Sequence, residues 1–228
     1  MSELQAKFVD TFIKDNRYEF ITTGLKNTLI ITLFAAILVI LLGFLVAVIR
    51  TTHDRTGRLK ILNILSKVYL TVIRGTPTTV QLLIMYYIVL VASTNKVFIA
   101  VMTFGINSGA YVAEIVRSGI QSIDKGQFEA GRSLGFNDAE TMWYIIIPQA
   151  FKNVLPALAN EAITLLKETS ISGYIALNDL TRGGDIIRSL TYETFFPLIS
   201  VALIYLVIVM ILTWLTGKLE RRLKTSDR

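Results

Sequence analysis

Five apolar runs, nearly free of charge, alternate with polar stretches along this chain, at about 28–49, 68–92, 97–116, 154–177 and 195–217. A helix needs about 20 apolar residues to cross a bilayer, and inside it every backbone polar group is paired within the helix. The pattern therefore predicts an all-α transmembrane fold, one domain over 1–228 with five spans. The runs are of two kinds. Those at 28–49 and 195–217 are plain, whereas the middle three carry polar, charged and helix-breaking residues. This is the division expected between helices that face lipid and helices that line something. Between the third and fourth runs lies a polar, glycine-punctuated segment, 124–150, reading DKGQFEAGRSLGFNDAETMWYIIIPQA. Residues 128–134 have helical character and end at Gly135, the residue suited to a left-handed helix terminus. Asn137 can cap a second helix, with Glu140 three places on to complete a capping box, and Pro148 is expected to stop it. The segment predicts a compact helix–turn–helix knob on a membrane surface, shaped to be gripped by another molecule.

Composition sharpens this picture. The 228 residues are 53% hydrophobic, with a mean hydropathy of +0.56, which marks a membrane protein. There is no cysteine, so disulfides and thiolate metal sites are excluded. His53, the single histidine, stands among basic residues and reads as loop surface, and no metal site is expected. The net charge of +6 is assigned to cytoplasmic loops rather than to nucleic-acid binding. The first 20 residues are polar with both charge signs and do not read as a cleavable signal; Leu4, Phe8, Phe12 and Ile13 fall at near-helical spacing, as in a short helix lying on the membrane. With five spans, fourteen Lys and Arg fall on the side of 124–150 and of the C-terminal tail, and seven on the other. That count predicts an external N-terminus, a cytoplasmic C-terminus and a cytoplasmic knob.

Within the runs, polar residues recur at helical spacing. Thr103, Asn107, Tyr111, Glu114 and Ser118 form one stripe of the third span, and Gly105, Gly109 and Ala113 form a small-residue stripe suited to close helix packing. Glu161, Thr164, Glu168 and Ser172 repeat the polar pattern in the fourth. Ionisable groups inside a span mark pathways, which makes Glu161 a candidate, with Asn107 and Tyr111 as deep hydrogen-bonding groups. The structural alternatives are that Glu161 or Glu168 pairs with Lys167 or Arg74, and Glu114 with Arg117. The break at Arg74-Gly75-Thr76-Pro77 has two readings: backbone groups freed for a substrate site, or the first turn of a helix at the cytoplasmic edge. No G-x-x-x-x-G-K-[ST] loop, HExxH or Ser/His/Asp set occurs, so the chain is not read as an enzyme, has no catalytic residues and carries no cofactor of its own. Five helices are few to enclose a solute path, so a second membrane subunit and an external energy source are required.

Glu129-Ala130-Gly131, then Gly135 and the Ile145-Ile146-Ile147-Pro148 run, resembles the EAA loop of bacterial ABC-importer permeases. Arg74-Gly75-Thr76-Pro77 with Val80-Gln81-Leu82-Leu83, the stretch from Asn107 to Arg117, and Asn160-Glu161 through Lys167-Glu168-Thr169-Ser170 are similar to motifs of the polar amino acid permease family. Together they cover about 24–217, and the one departure is Gly131 where the loop's triplet has alanine. The resemblance implies a five-helix, MetI-like type I importer permease in the bacterial plasma (inner) membrane. It implies a second permease subunit, identical or related, two cytoplasmic ATPase subunits that bind ATP and magnesium, and an extracytoplasmic solute-binding protein. The cargo would be an amino acid of the histidine, glutamine, arginine or cystine type. Glu129, Ala130, Gly131, Arg132, Ser133, Leu134, Gly135 and Asn137 would transmit the ATPase motion. Asn107, Ser108, Tyr111, Glu114, Glu161 and Arg74 would line the path, whose acidic bias leans toward a zwitterionic or cationic amino acid. The basic tail, with Lys218, Arg221, Arg222, Lys224 and Arg228, would meet lipid headgroups. The alternative is a stand-alone channel or proton-coupled carrier with Glu114, Glu161 and Glu168 as a relay.

Overall fold

The computed structural model describes residues 3–225; Arg228 lies outside them, as do the side chains of Leu4 and Lys224. The helices in chain order are α1 (Glu3–Phe8), α2 (Tyr18–Thr56), α3 (Lys60–Arg74), α4 (Thr78–Ile84), α5 (Lys96–Gln121), α6 (Lys125–Ser133), α7 (Asp138–Thr141), α8 (Ile147–Glu168), α9 (Leu180–Thr191) and α10 (Phe195–Thr225). Among the described residues three of them, α2, α5 and α10, hold stretches long and apolar enough to cross a membrane. The apolar window of α5 is 67% buried, against 28% for α2 and 11% for α10. The plain runs are thus the exposed ones and the polar-striped run is enclosed, in keeping with the two kinds of run in the sequence.

The second predicted span is two helices. α3 ends at Arg74, Gly75 closes it by donating its N–H to the Thr71 carbonyl at 3.0 Å, and Pro77 (φ −65°) precedes α4. A proline with no N–H to donate fits a helix start at no cost, so the motif both breaks one helix and begins the next. Beyond α4 the chain widens into a π-helical turn, Met85–Val89. The first half of α3 lies where the sequence reading placed a cytoplasmic connection. This helix is inside out: Asn63, Ser66 and Leu70 are buried while Ile61, Ile64, Leu65, Val68 and Val72 are exposed. An apolar outer face is a liability in water and none in lipid or against a membrane partner. The fourth span runs from α8 into a tighter 3₁₀ stretch, Thr169–Ile175, that ends at Ala176 in the left-handed region (φ +54°).

The described chain divides into two compact units. One holds Met1–Ile37, Pro77–Gly105 and Ile163–Leu212. Its apolar cluster is Phe12, Ile21, Leu180, Ile187 and Val201. Phe12 is therefore a core residue, whereas Phe8 and Ile13 stay exposed. α9 is pinned here by backbone contact, because Gly24 abuts the Asp179 carbonyl and Gly183 abuts that of Phe20, and a Cβ at either glycine would collide with the other chain segment. Asp179 is fully buried and caps α9, accepting from the amides of Thr181 at 2.9 Å and Arg182 at 3.4 Å. The next amide, of Leu180, donates to Thr28 Oγ1 at 3.1 Å. Burial pushes the Asp179 carboxyl up to about 6, only partly offset by those hydrogen bonds.

The second unit holds Leu38–Thr76, Ile106–Ala162 and Thr213–Arg228. Its centre is the small-residue stripe of α5. A Cβ on Gly109 would stand 3.2 Å from Leu42 Cβ and from Tyr69 Oη, and that hydroxyl donates to the Ile106 carbonyl at 2.6 Å. Ala110 and Ala113 pack with Val46 and Leu70. Small side chains thus let α2 and α3 lie directly on α5.

Candidate functional site

The knob at 124–150 is built as its caps dictate. Asp124 accepts from the Gly126 amide at 2.7 Å and starts α6. Gly135 (φ +87°) ends it, and the Phe136 amide closes back on the Gly131 carbonyl at 3.1 Å. Asn137 Oδ1 then accepts from the amides of Ala139 and Glu140, while Glu140 Oε2 accepts from the Asn137 amide at 2.8 Å, a complete capping box. The expected stop at Pro148 does not occur. α7 passes through a π-helical turn, Met142–Ile146, straight into α8, with Pro148 in its first turn. The wide turn shifts the hydrogen-bond register, and an i→i−4 donor is not required where the proline sits. His53 likewise lies on α2 rather than in a loop, its Nδ1 2.9 Å from the Arg58 carbonyl oxygen.

Of the eight knob residues singled out in the sequence, Glu129, Ala130, Arg132, Ser133, Leu134, Gly135 and Asn137 are exposed, and Gly131 alone is buried. Gly131 faces Thr141 of α7: a Cβ there would lie 2.6 Å from Thr141 Cγ2 and 2.7 Å from Oγ1. The missing methyl is what lets α6 and α7 touch. Leu134, 73% exposed, projects from the end of α6 as an uncovered apolar group.

Four of the six path candidates converge. Arg74, Tyr111 and Glu114 line two neighbouring cavities of about 590 and 580 Å³, and Glu161 lines the second. The Arg74 guanidinium sits 5.5 Å from the centroid of the Tyr111 ring, a cation–π contact. Among the described residues Arg74 makes no ion pair. Glu114 is held by Arg50 at 3.0 Å and by Arg117 at 3.4 Å. Asn107 and Ser108 are buried and line neither cavity, although Ser108 lies beside the Glu161 carboxyl. The sequence reading missed Arg50, Lys67 and Thr71, which line the first cavity, and Ser122 and Asn153, which line the second. Lys67, Thr71 and Arg74 recur at helical spacing, a signal hidden because the second span was read as starting at 68.

These features define a helical membrane permease subunit: striped helices around cavities, with a capped knob between two of them. The chain belongs to the family of binding-protein-dependent transport system inner membrane components, whose family model matches residues 40–225. Within it, the chain groups with the permeases of amino acid ABC importers. It is 39% identical over 211 residues to the arginine transport system permease protein ArtQ of Bacillus subtilis, covering 91% of this chain and 94% of the relative. It is 38% identical over 205 residues to the glutamine transport system permease protein GlnP of Escherichia coli K12, covering 88% and 91%. A crystal structure of an amino acid ABC transporter with histidines superposes with a TM-score of 0.83 at 42% identity, over 92% of this chain and 98% of that one. An inward-facing MetNI methionine ABC transporter shares the type I importer fold, with a TM-score of 0.78 at 18% identity over 98% and 99%.

Proposed function

We propose that this permease forms the membrane path of an ATP-driven amino acid importer and works by alternating access, with the knob at 124–150 gripped by a separate cytoplasmic ATPase. A second permease subunit completes the path, and an extracytoplasmic solute-binding protein delivers the cargo. The observation that carries the reading is the convergence of Arg74, Tyr111, Glu114 and Glu161 on adjoining cavities in the unit that also holds the knob. The knob suits transmission: two short helices are capped at fixed points and locked through Gly131, and all but one of the candidate contact residues face outward. A two-state transporter needs such a stiff element to convey a partner's differential affinity.

The path chemistry favours a zwitterionic or cationic amino acid. Arg74 is available to a substrate carboxylate and Glu161 to an ammonium group, whereas Glu114 already has Arg50 and Arg117. The names of the relatives, arginine and glutamine permeases, point the same way. The lysine and arginine count supports an external N-terminus with the knob in the cytoplasm. Uptake of labelled arginine, histidine, glutamine, glutamate and aspartate by the reconstituted complex tests the substrate class. Competition among the first three is expected, and transport of glutamate or aspartate alone would overturn it.

A further inference from the structure

The last two turns of α2 reach both the path and the knob. Arg50 and Asp54, four residues apart, share a helix face, and Arg55 is turned about 100° from Asp54. On the shared face Arg50 Nη1 donates to Glu114 Oε1 at 3.0 Å, and Arg117 links Glu114 (3.4 Å) to Asp54 Oδ2 (3.1 Å). Off that face, the Arg55 guanidinium lies 4.3 Å from the centroid of the Phe128 ring in α6 and donates to Asp138 Oδ1 of α7 at 3.4 Å. Arg132 reaches the same oxygen at 3.2 Å. A third cavity, about 510 Å³, opens between these groups and is lined by Thr51, Asp54, Arg55, Phe128, Glu129 and Arg132.

Taking charges out of water offsets much of what a buried ion pair gains, so net stability is a weak reason for this arrangement. The Arg50, Arg55 and Arg117 side chains are largely buried. Each connects separate helices, and Glu114 at the far end lines both path cavities. The geometry points to the cytoplasmic end of α2 as a connecting rod between knob and path, with Arg55 the positioning residue that ties it to α6 and α7, and the Asp54–Arg117–Glu114 chain carrying displacement to α5. A continuous helix is rigid enough for this, since neighbouring packed elements shift between discrete arrangements rather than deforming. The inference rests on the reading that an ATPase grips 124–150.

The test uses the full complex of permease, ATPase and binding protein in proteoliposomes, with labelled arginine, histidine and glutamine as probes. The readout is ATP hydrolysed per amino acid imported. Arg55→Ala and Asp54→Asn should copurify with the ATPase at the wild-type ratio yet raise that quotient by about two- to thirtyfold, the range for residues that carry coupling. Arg55→Lys, which keeps a cation over Phe128, should stay near wild type. Because the chain has no cysteine, Arg55→Cys with Phe128→Cys can be joined by a short thiol crosslinker before the ATPase is added. Uncoupled without the linker, this variant should recover coupling with it. Wild-type coupling in Arg55→Ala and Asp54→Asn, loss of ATPase copurification in Arg55→Ala, or a linked pair that stays uncoupled would overturn the rod. Leu134→Glu checks the underlying reading separately: it should abolish copurification, and an ATPase that still binds it contradicts the knob reading whatever Arg55 does.

Discussion

Gly131 is the position where the chain departs from the loop motif it resembles, and Gly131→Ala is the sharpest perturbation of the knob. An added Cβ would lie 2.6 and 2.7 Å from Thr141 Cγ2 and Oγ1 and 3.2 Å from Ile145 Cδ1. Thr141 is fully buried, so it has little room to retreat. Overpacking of this kind costs about 1–3 kcal/mol. Alanine's better helix propensity returns about 1 kcal/mol, so the variant should lose up to about 2 kcal/mol of local stability at the α6–α7 joint. Thr141→Ala removes both clashing atoms, and it also removes a buried hydroxyl that finds no hydrogen-bond partner among the described residues. The double variant should therefore be more stable than Gly131→Ala alone, with a coupling of about 1–3 kcal/mol in a double-mutant cycle. Hydrogen exchange of the amides over 125–146 reads the joint directly. Faster exchange in Gly131→Ala, reversed by Thr141→Ala, is the expected result. A protected Gly131→Ala, or no coupling with Thr141, would refute the reading that this glycine exists for helix–helix contact.

Other expectations follow from single interactions. Asn137→Ala removes the capping box and should weaken the knob by about 1 kcal/mol, seen as faster exchange over α7 with no change in 96–110. Asp179 holds its proton to a higher pH when folded than the ordinary value of 3.8, up to about 6. Its contribution to stability is therefore present below about 4 and lost as pH rises through about 6, an effect of about 3 kcal/mol at most. Asp179→Asn cannot ionise and keeps one of the two cap acceptors, so its melting temperature should fall less than that of the parent between pH 4 and pH 8; parallel curves would refute this. Glu161→Gln should weaken uptake of arginine and glutamine alike, by about tenfold, through loss of a charge-assisted contact to the ammonium group that both carry; unchanged uptake of both would remove Glu161 from the path.

Much of this molecule was legible in the pattern of its residues. The capping box at Asn137 and the left-handed Gly135 are local chemistry, and both stand where the residues put them. The Gly109–Ala113 stripe was equally plain, since small residues at helical spacing have few other uses in an apolar run. Three features were not legible, each because its cause is non-local. The first half of α3 looks like a basic connection until its exposed isoleucines are seen on one face and its buried Asn63 on the other. Pro148 reads as a terminator, because nothing in the residues announces the π-helical turn that absorbs it. The ion pairs from Arg50 to Glu114 and from Arg55 to Asp138 join residues 64 and 83 apart in the chain. No spacing rule reaches that far, so Arg50 and Arg55 entered the sequence reading only as members of a charge count.

Solute flux with and without the ATPase tests the central claim most directly. Proteoliposomes carrying the permease alone, the permease with its ATPase, and the permease with ATPase and binding protein would be given labelled arginine, with ATP sealed inside. Uptake is expected only in the third preparation, only with ATP, and not with Leu134→Glu. Steady arginine flux through the permease alone, without ATP, would contradict the account and favour a self-sufficient channel or carrier.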